Sequence, residues 1–237
     1  MQTDLINTTQ SGSIQEGIAA PYDFQIMDVI KEAWQRTSGL KGPVLGAGIL
    51  IVIALTAVTF ACMLLLNLIP NIDEGVISLF ATVISLIITV FSYPFFAGII
   101  MMGLHRSIDA PVSYKMAFSY FGYTLAIIIA SICMSIMITL GMVLLIIPGI
   151  YLSIAYMFTL PLIVDKNMDF WQAMETSRKA ATQHWFKLFF TAALMVIIYL
   201  ISAIPLGLGL IWTIPMFIAL NGVLYRRIFG VESAVLD

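Results

Sequence analysis

The fold is decided by residues 144–185, LLIIPGIYLSIAYMFTLPLIVDKNMDFWQAMETSRKAATQHW. This stretch contains a Pro-Gly turn, an apolar run, a polar exit and an amphipathic segment that leads into another apolar run. The same order of parts occurs elsewhere in the chain. Apolar runs joined by amphipathic segments are typical of helices that cross a membrane and of short helices that lie at its surface.

The composition indicates an integral membrane protein. Apolar residues make up 61% of the chain and charged residues only 10%, and the mean hydropathy is +1.02. A soluble domain carries about a quarter charged residues, and uncharged apolar runs of about 18 residues or more are typical of membrane spans. The length fits one compact bundle and leaves no room for a large soluble domain.

We predict three parts: a disordered polar tail over residues 1–22, a membrane domain over 23–230 and a C-terminal tail over 231–237. The apolar run over 123–164 is too long for one span of an apolar layer about 30 Å thick, so it is divided at Pro148-Gly149. The alternative for the short fourth span is a re-entrant segment. The predicted spans are 44–66, 76–104, 123–147, 150–164, 185–204 and 210–225.

The predicted fold is all-α, with six transmembrane helices arranged as three pseudo-repeated hairpins. An amphipathic interfacial helix precedes each hairpin, over about 21–38, 113–120 and 169–183. The internal repeat rests mainly on one gapless match, in which Pro94-Phe95-Phe96 with His105-Arg106 aligns with Pro215-Met216-Phe217 with Arg226-Arg227.

The basic residues all fall on one side of this topology. Because positive charge concentrates in cytoplasmic loops, both termini are predicted to be cytoplasmic. The eleven residues are Lys31, Arg36, Lys41, Arg106, Lys115, Lys166, Arg178, Lys179, Lys187, Arg226 and Arg227.

A first set of candidate site residues lies on or beside the interfacial helices. Bases at an anionic leaflet attract lipid headgroups, at about 1 kcal/mol each, and a tryptophan anchors a helix at the interface. The alternative is a role in topology and anchoring only. These candidates are Lys31, Trp34, Arg36, Lys41, Arg178, Lys179 and Lys187.

A second set consists of candidates for a cavity or a hinge. Hydroxyl residues at four-residue spacing share one face of the third span, and each returning span contains a proline that frees a backbone carbonyl. The alternatives are helix packing for the hydroxyls and fixed bends for the prolines. The residues are Pro94, Ser131, Ser135, Thr139, Pro161, Pro215 and Asn221.

Signals of catalysis are missing from the sequence. No Asp, Glu, Lys or Arg is predicted inside a span away from its ends, which disfavours a proton relay. No nucleophile, metalloprotease or phosphate-loop motif occurs. His105 and His184 are the only histidines, and they are interpreted as interfacial side chains, with a metal site that includes Asp109 as the alternative. We therefore expect no enzyme activity, cofactor, metal or nucleic-acid partner.

Several motifs of the opening stretch carry a family resemblance. The run IPGIYLSIAYMFTLPLIVD is followed by an A-x-x-x-S-x-x-A pattern (Ala173, Ser177, Ala180) and by Trp185. This combination resembles YciC-like bacterial inner-membrane proteins and the membrane domain attached to some glycerophosphodiester phosphodiesterases, over about residues 24–229. The resemblance implies a six-span all-α fold in the cytoplasmic membrane and no catalytic residues.

Two functional hypotheses follow. The first is a non-enzymatic scaffold or accessory protein in envelope or lipid homeostasis, with membrane lipids and a homo-oligomer or envelope protein as expected partners. The second is a transporter or channel for an apolar or uncharged solute. An intramembrane enzyme that uses His105 or His184 is a remote third.

Overall fold

The computed structural model describes residues 13–19, 22–69 and 73–232. None of these residues lies in a strand, which confirms the all-α prediction. Two 3₁₀ helices, Tyr114–Phe118 and Phe121–Tyr123, precede α5. The α-helices are α1 (Ile14–Ala19), α2 (Ile26–Thr37), α3 (Lys41–Asn67), α4 (Glu74–Ser107), α5 (Thr124–Leu144), α6 (Ile146–Ala155), α7 (Thr159–Asp165), α8 (Phe170–Gln183), α9 (Trp185–Ala203) and α10 (Leu210–Phe229).

Five helical segments are long and apolar enough to cross a membrane, which supports the prediction of a multi-pass membrane protein. The sixth predicted span forms α10, a 20-residue helix that contains Asn221, Arg226 and Arg227 and is not among the five. The count of six spans therefore stays a prediction. The five segments are Lys41–Leu66, Glu74–Ser107, Tyr114–Leu144, Ile146–Asp165 and Trp185–Ala203.

Helix α10 lies at the centre of the molecule. It packs most extensively on α4 and also contacts α1, α2, α3 and α9. Its last turns are enclosed, with Tyr225, Ile228 and Phe229 fully buried. Turns that are enclosed by protein need less apolar surface than turns that face lipid, which explains why α10 can carry Arg226 and Arg227 at this end.

Helices α4 and α10 run side by side in the same direction and touch through their backbones. A Cβ atom added to Gly222 would overlap the backbone of Gly103, and one added to Gly103 would overlap the carbonyl group of Ile218. Small residues permit this approach between membrane helices. These are the two helices of the gapless sequence match, although the threefold repeat itself stays a prediction.

The turn before the fourth span differs from the prediction. The chain reverses at Leu145, which is extended, and Pro148 and Gly149 lie inside the first turns of α6. Proline is tolerated there because the first N–H groups of a helix have no intrahelical partner. Gly149 instead allows α6 to approach α5 at Gly141.

The fourth span is interrupted. Its segment extends over 20 residues, about 30 Å at 1.5 Å per residue, which is long enough for a full crossing. It consists of α6 and α7, and the residues between them, Tyr156–Phe158, are not helical.

Two short N-terminal and interfacial segments have structure that the sequence did not specify. The predicted helix before the second hairpin is a short 3₁₀ helix, Tyr114–Phe118. Within the predicted disordered tail, α1 is helical and Tyr22 is buried. Helix α1 packs on α8 and α10. Residues 1–12 and 20–21 of that tail lie outside the described residues.

Large apolar side chains are exposed towards the ends of the hairpins that lie away from the arginines. Val143, Ile147, Ile204 and Leu206 are each at least 78% exposed. Between Gly48 and Leu65 of α3, no residue is buried. A surface of this kind is unfavourable in water and favourable in hydrocarbon.

Candidate functional site at the basic end of the bundle

The basic end is the end of the bundle at which α4, α7 and α10 terminate and against which α2 and α8 pack. It contains two clusters of charged side chains, an interrupted helix and an N-terminal strap. We call the first cluster the arginine cluster, and it consists of Glu32, Arg36, Arg106, Asp109, Arg226 and Arg227.

Glu32 is the hub of the arginine cluster. Its Oε1 accepts a hydrogen bond from Arg226 Nη2 at 2.5 Å, and its Oε2 accepts one from Arg227 Nη2 at 2.7 Å. Arg36 Nη2 lies 3.7 Å from Oε1. One carboxylate of α2 therefore faces three guanidinium groups and attaches α2 to the end of α10.

The other half of the cluster attaches α2 to the end of α4. Arg36 Nη1 donates to the Arg106 carbonyl at 3.1 Å, and Arg106 Nε donates to the Arg36 carbonyl at 3.2 Å. Asp109 pairs with Arg36 and lies 3.6 Å from Arg106 Nη1. Arg226 also donates to the Ser107 carbonyl, so the ends of both central helices are bonded directly.

The electrostatics of Glu32 follow from these contacts. Burial alone would raise its pKa, but hydrogen bonds and charges from Arg227 and Arg226 outweigh burial and hold the pKa of Glu32 below its ordinary value. Glu32 is therefore ionised at neutral pH.

The second cluster is centred on Asp165, the last residue of α7, whose side chain is fully buried. Asp165 Oδ2 accepts from the Tyr225 hydroxyl at 2.8 Å and lies 3.4 Å from Lys166 Nζ. Asp165 Oδ1 accepts from the backbone N–H of Glu232 at 3.2 Å. Both oxygens are thus bonded, and the cluster joins α7 to α10 and to the chain that follows it.

Ser177 of α8 bridges the interruption between α6 and α7. Its hydroxyl donates to the Ala155 carbonyl at 2.7 Å and accepts from the Phe158 N–H at 3.2 Å. Both backbone groups would lack partners in the buried interior without it. The serine of the A-x-x-x-S-x-x-A pattern therefore supports the broken helix, and Ala173 and Ala180 bring α8 close enough to do so because both are fully buried.

An N-terminal strap, residues 22–24, crosses the start of α9. The Tyr22 hydroxyl donates to the Ala180 carbonyl at 2.7 Å, and its ring lies edge-on to His184 at 4.6 Å. Burial raises the pKa of Tyr22. Asp23 pairs with Lys187, and this hydrogen bond holds the pKa of Asp23 below its ordinary value.

The predicted lipid-headgroup candidates fall into two groups. Arg36 pairs with Glu32 and Asp109, and Lys187 pairs with Asp23. Both Arg178 and Lys179 pair with Glu175 of their own helix, at 2.8 and 3.4 Å. Two of the other three candidates, Lys31 and Lys41, have no acidic partner among the described residues. Lys31 is exposed, and Lys41 Nζ lies 5.0 Å from the Trp212 ring centroid. The third, Trp34, is 55% exposed.

The predicted cavity and hinge candidates differ in burial and lie on several helices. Ser131 is buried, whereas Ser135 and Thr139 are exposed farther along α5. Asn221 Nδ2 donates to the Phe217 carbonyl of its own helix at 3.1 Å. The three prolines, Pro94, Pro161 and Pro215, are buried in α4, α7 and α10.

The two histidines contact different tyrosines. His105 Nε2 lies 3.3 Å from the Tyr120 hydroxyl, and His184 packs against Tyr22. The described part of the chain contains no group of three potential metal-ligating side chains.

The predicted site residues do not include Glu32 or Asp165, the acids at the centres of the two clusters. In the sequence, Glu32 lies on the polar face of an amphipathic segment and Asp165 lies in the polar exit from an apolar run. One signal was present for each: Asp165 directly follows an uncharged apolar run, and Glu32 lies on the same helix as Arg36, four residues before it. The partners of both acids are distant in sequence, which a single sequence does not reveal.

No family model matches this chain, and neither the curated proteins nor the solved structures contain a significant match.

Proposed function

We propose that this chain is a non-enzymatic scaffold or accessory protein of the bacterial cytoplasmic membrane, acting in envelope or lipid homeostasis. The same proposal includes the resemblance to YciC-like proteins, a topology of six spans in three hairpins, and cytoplasmic termini. The chain would present the basic end to the cytoplasm and the apolar far halves of its helices to lipid.

The filled interior of the basic end is the observation that carries this proposal. Phe158, Tyr225 and Phe229 are fully buried there and their rings contact one another, with centroids 5.2 to 6.4 Å apart. Charged side chains of both clusters pair with one another at the same end. A filled end of this kind suits a docking platform better than a path for a solute.

A second candidate function, binding or passage of an uncharged solute, is favoured by the interrupted fourth span. Discontinuous helices line the binding sites of many transporters. Ser131 Oγ and Thr159 Oγ1 are buried and have no hydrogen-bond partner among the described residues.

Reconstitution distinguishes the two functions. Proteoliposomes that contain the full chain are diluted into isosmotic glycerol, urea or sorbitol, and swelling is followed by light scattering. The scaffold proposal expects the swelling rate of protein-free liposomes. Faster swelling that is lost in Thr159→Val would replace the proposal with the second candidate.

A positive test of the scaffold proposal uses photo-crosslinking in cells. A photoreactive residue replaces Trp34, which is 55% exposed at the basic end, or Val143, which is 78% exposed at the far end. The proposal expects a discrete protein adduct at position 34 and none at position 143. Lipid adducts alone at both positions would contradict a protein-docking role.

A further inference from the structure

We propose that the arginine cluster is a binding site for a phosphate group, as a lipid phosphate headgroup or as free phosphate. This inference goes beyond the scaffold proposal, because a phosphate site can exist whichever role the protein has. It concerns residues that the sequence motifs did not identify as a site, apart from Arg36.

The charge count is the first argument. The cluster combines four guanidinium groups, which are always protonated, with the two carboxylates of Glu32 and Asp109. Its formal charge is therefore +4 − 2 = +2. A half-buried excess of positive charge is unfavourable unless an anion compensates it.

The burial of these groups is the second argument. The side chains of Arg226, Arg36, Arg106 and Arg227 are 10%, 18%, 25% and 29% exposed. Water therefore reaches them only in part, and their charges interact more strongly than charges on an open surface do.

An unpartnered donor is the third argument. Arg226, as a whole residue, is 8% exposed. Its Nη1 and Nη2 donate to Ser107 and Glu32, but its buried Nε has no acceptor among the described residues. Guanidinium groups bind phosphate oxygens through paired N–H donors, so the cluster contains the donor chemistry that this anion requires.

The geometry also provides access. The side chain of Asp109 is 65% exposed and that of Arg227 is 29% exposed, so parts of the cluster are accessible from outside the molecule. It lies at the ends of α4 and α10, two helices that belong to the membrane bundle. A phosphate at that level is available either from a lipid headgroup or from solution.

The test uses the full chain purified in an uncharged detergent. Its unfolding midpoint is measured against increasing inorganic phosphate, dihexanoyl phosphatidic acid or dihexanoyl phosphatidylcholine, and each titration yields an apparent Kd. We expect phosphatidic acid to raise the midpoint and phosphatidylcholine to leave it unchanged. A rise with inorganic phosphate as well identifies free phosphate as a ligand; no rise with either anion overturns the proposal.

Charge-altering variants locate the site. Arg227→Gln removes one unit of charge from the cluster, and we expect the apparent Kd for the effective anion to rise about tenfold or more. The matched control Lys115→Gln also removes one unit of charge, from the exposed surface of the 3₁₀ helix Tyr114–Phe118 outside the cluster, and is expected to alter the Kd less than about twofold. Equal losses in both variants would show non-specific attraction and overturn the proposal.

A second variant changes the charge of the cluster in the opposite direction, and it tests the proposal even if Arg227→Gln does not fold. Asp109→Asn raises the formal charge of the cluster from +2 to +3, and asparagine accepts the positive φ of 58° at this position. The apparent Kd should fall about threefold or more. An unchanged or higher Kd in this folded variant would overturn the proposal.

Discussion

At the scale of single residues, Ser177 shows how one hydroxyl supports an interrupted span. It bonds both to the last carbonyl of α6 and to the Phe158 N–H. We predict that Ser177→Ala lowers the free energy of unfolding by about 1–3 kcal/mol, because it leaves buried backbone groups without partners. Thermal unfolding in detergent, followed by circular dichroism, measures the change.

Ser153→Ala is the matched control for that variant. The Ser153 hydroxyl is exposed and donates only to the Ile150 carbonyl of its own helix. Its removal should change stability by less than about 0.5 kcal/mol. If the two alanine variants lost stability equally, Ser177 would have no special part in the interruption.

At the scale of elements, the crossing of α4 and α10 depends on two glycines. Gly103→Ala places a Cβ against the Ile218 carbonyl, so the helices must separate. We predict a fall in the unfolding midpoint and a smaller yield of monodisperse protein, measured by fluorescence-detected size-exclusion chromatography after heating.

The comparison variant for this crossing is Gly48→Ala. No atom lies within 4 Å of a Cβ at Gly48 in α3, and alanine favours a helix by about 1 kcal/mol over glycine. The unfolding midpoint of Gly48→Ala should stay constant or rise, whereas that of Gly103→Ala should fall. Equal destabilisation by both substitutions would refute the backbone contact.

The attachment of α2 depends on pH through Glu32. The pKa of Glu32 is lower in the folded state than its ordinary value of 4.5. The stability that ionised Glu32 contributes is therefore complete above pH 4.5 and is lost as the pH falls through the folded-state pKa. We predict that the unfolding midpoint declines below about pH 5. In Glu32→Gln the midpoint is lower at pH 7 and the decline is shallower.

Glu175→Gln is the comparator for the pH series. Glu175 pairs with Arg178 and Lys179, but its side chain is 36% exposed, and exposed ion pairs contribute little. Its midpoint at pH 7 should remain within a few degrees of the wild-type value. A wild-type pH slope in Glu32→Gln would show that other acids govern the decline.

At the scale of the whole molecule, the six-span proposal fixes which positions face each side of the membrane. In a background with Cys62 and Cys133 replaced by serine, we predict that Asp73→Cys and Leu206→Cys react with a membrane-impermeant maleimide in intact cells. Lys31→Cys and Glu232→Cys should react only after the membrane is opened.

Position 206 tests the sixth span directly. Leu206 is 97% exposed in the turn between α9 and α10, so its accessibility depends on membrane side rather than on burial. Labelling of positions 206 and 232 from the same side would show that α9 and α10 do not both cross.

Much of the fold was predictable because it depends on local composition. Apart from the break at Tyr156–Phe158, the helices over the predicted spans begin and end within a few residues of the predicted limits, because long uncharged apolar runs are typical of single helices. The turn at Leu145 was not predictable in the same way, because Pro148 is compatible either with a turn or with the first turn of a helix.

The sequence by itself determined the helical class, the apolar segments and the clustering of basic residues. Only the tertiary structure decided which charges meet, that the last turns of α10 are enclosed and that Ser177 supports the interrupted span. The physical reason is range: hydropathy and helix formation act over neighbouring residues, whereas Glu32 and Arg226 are 194 positions apart. Such pairs form only when packing brings distant helices together.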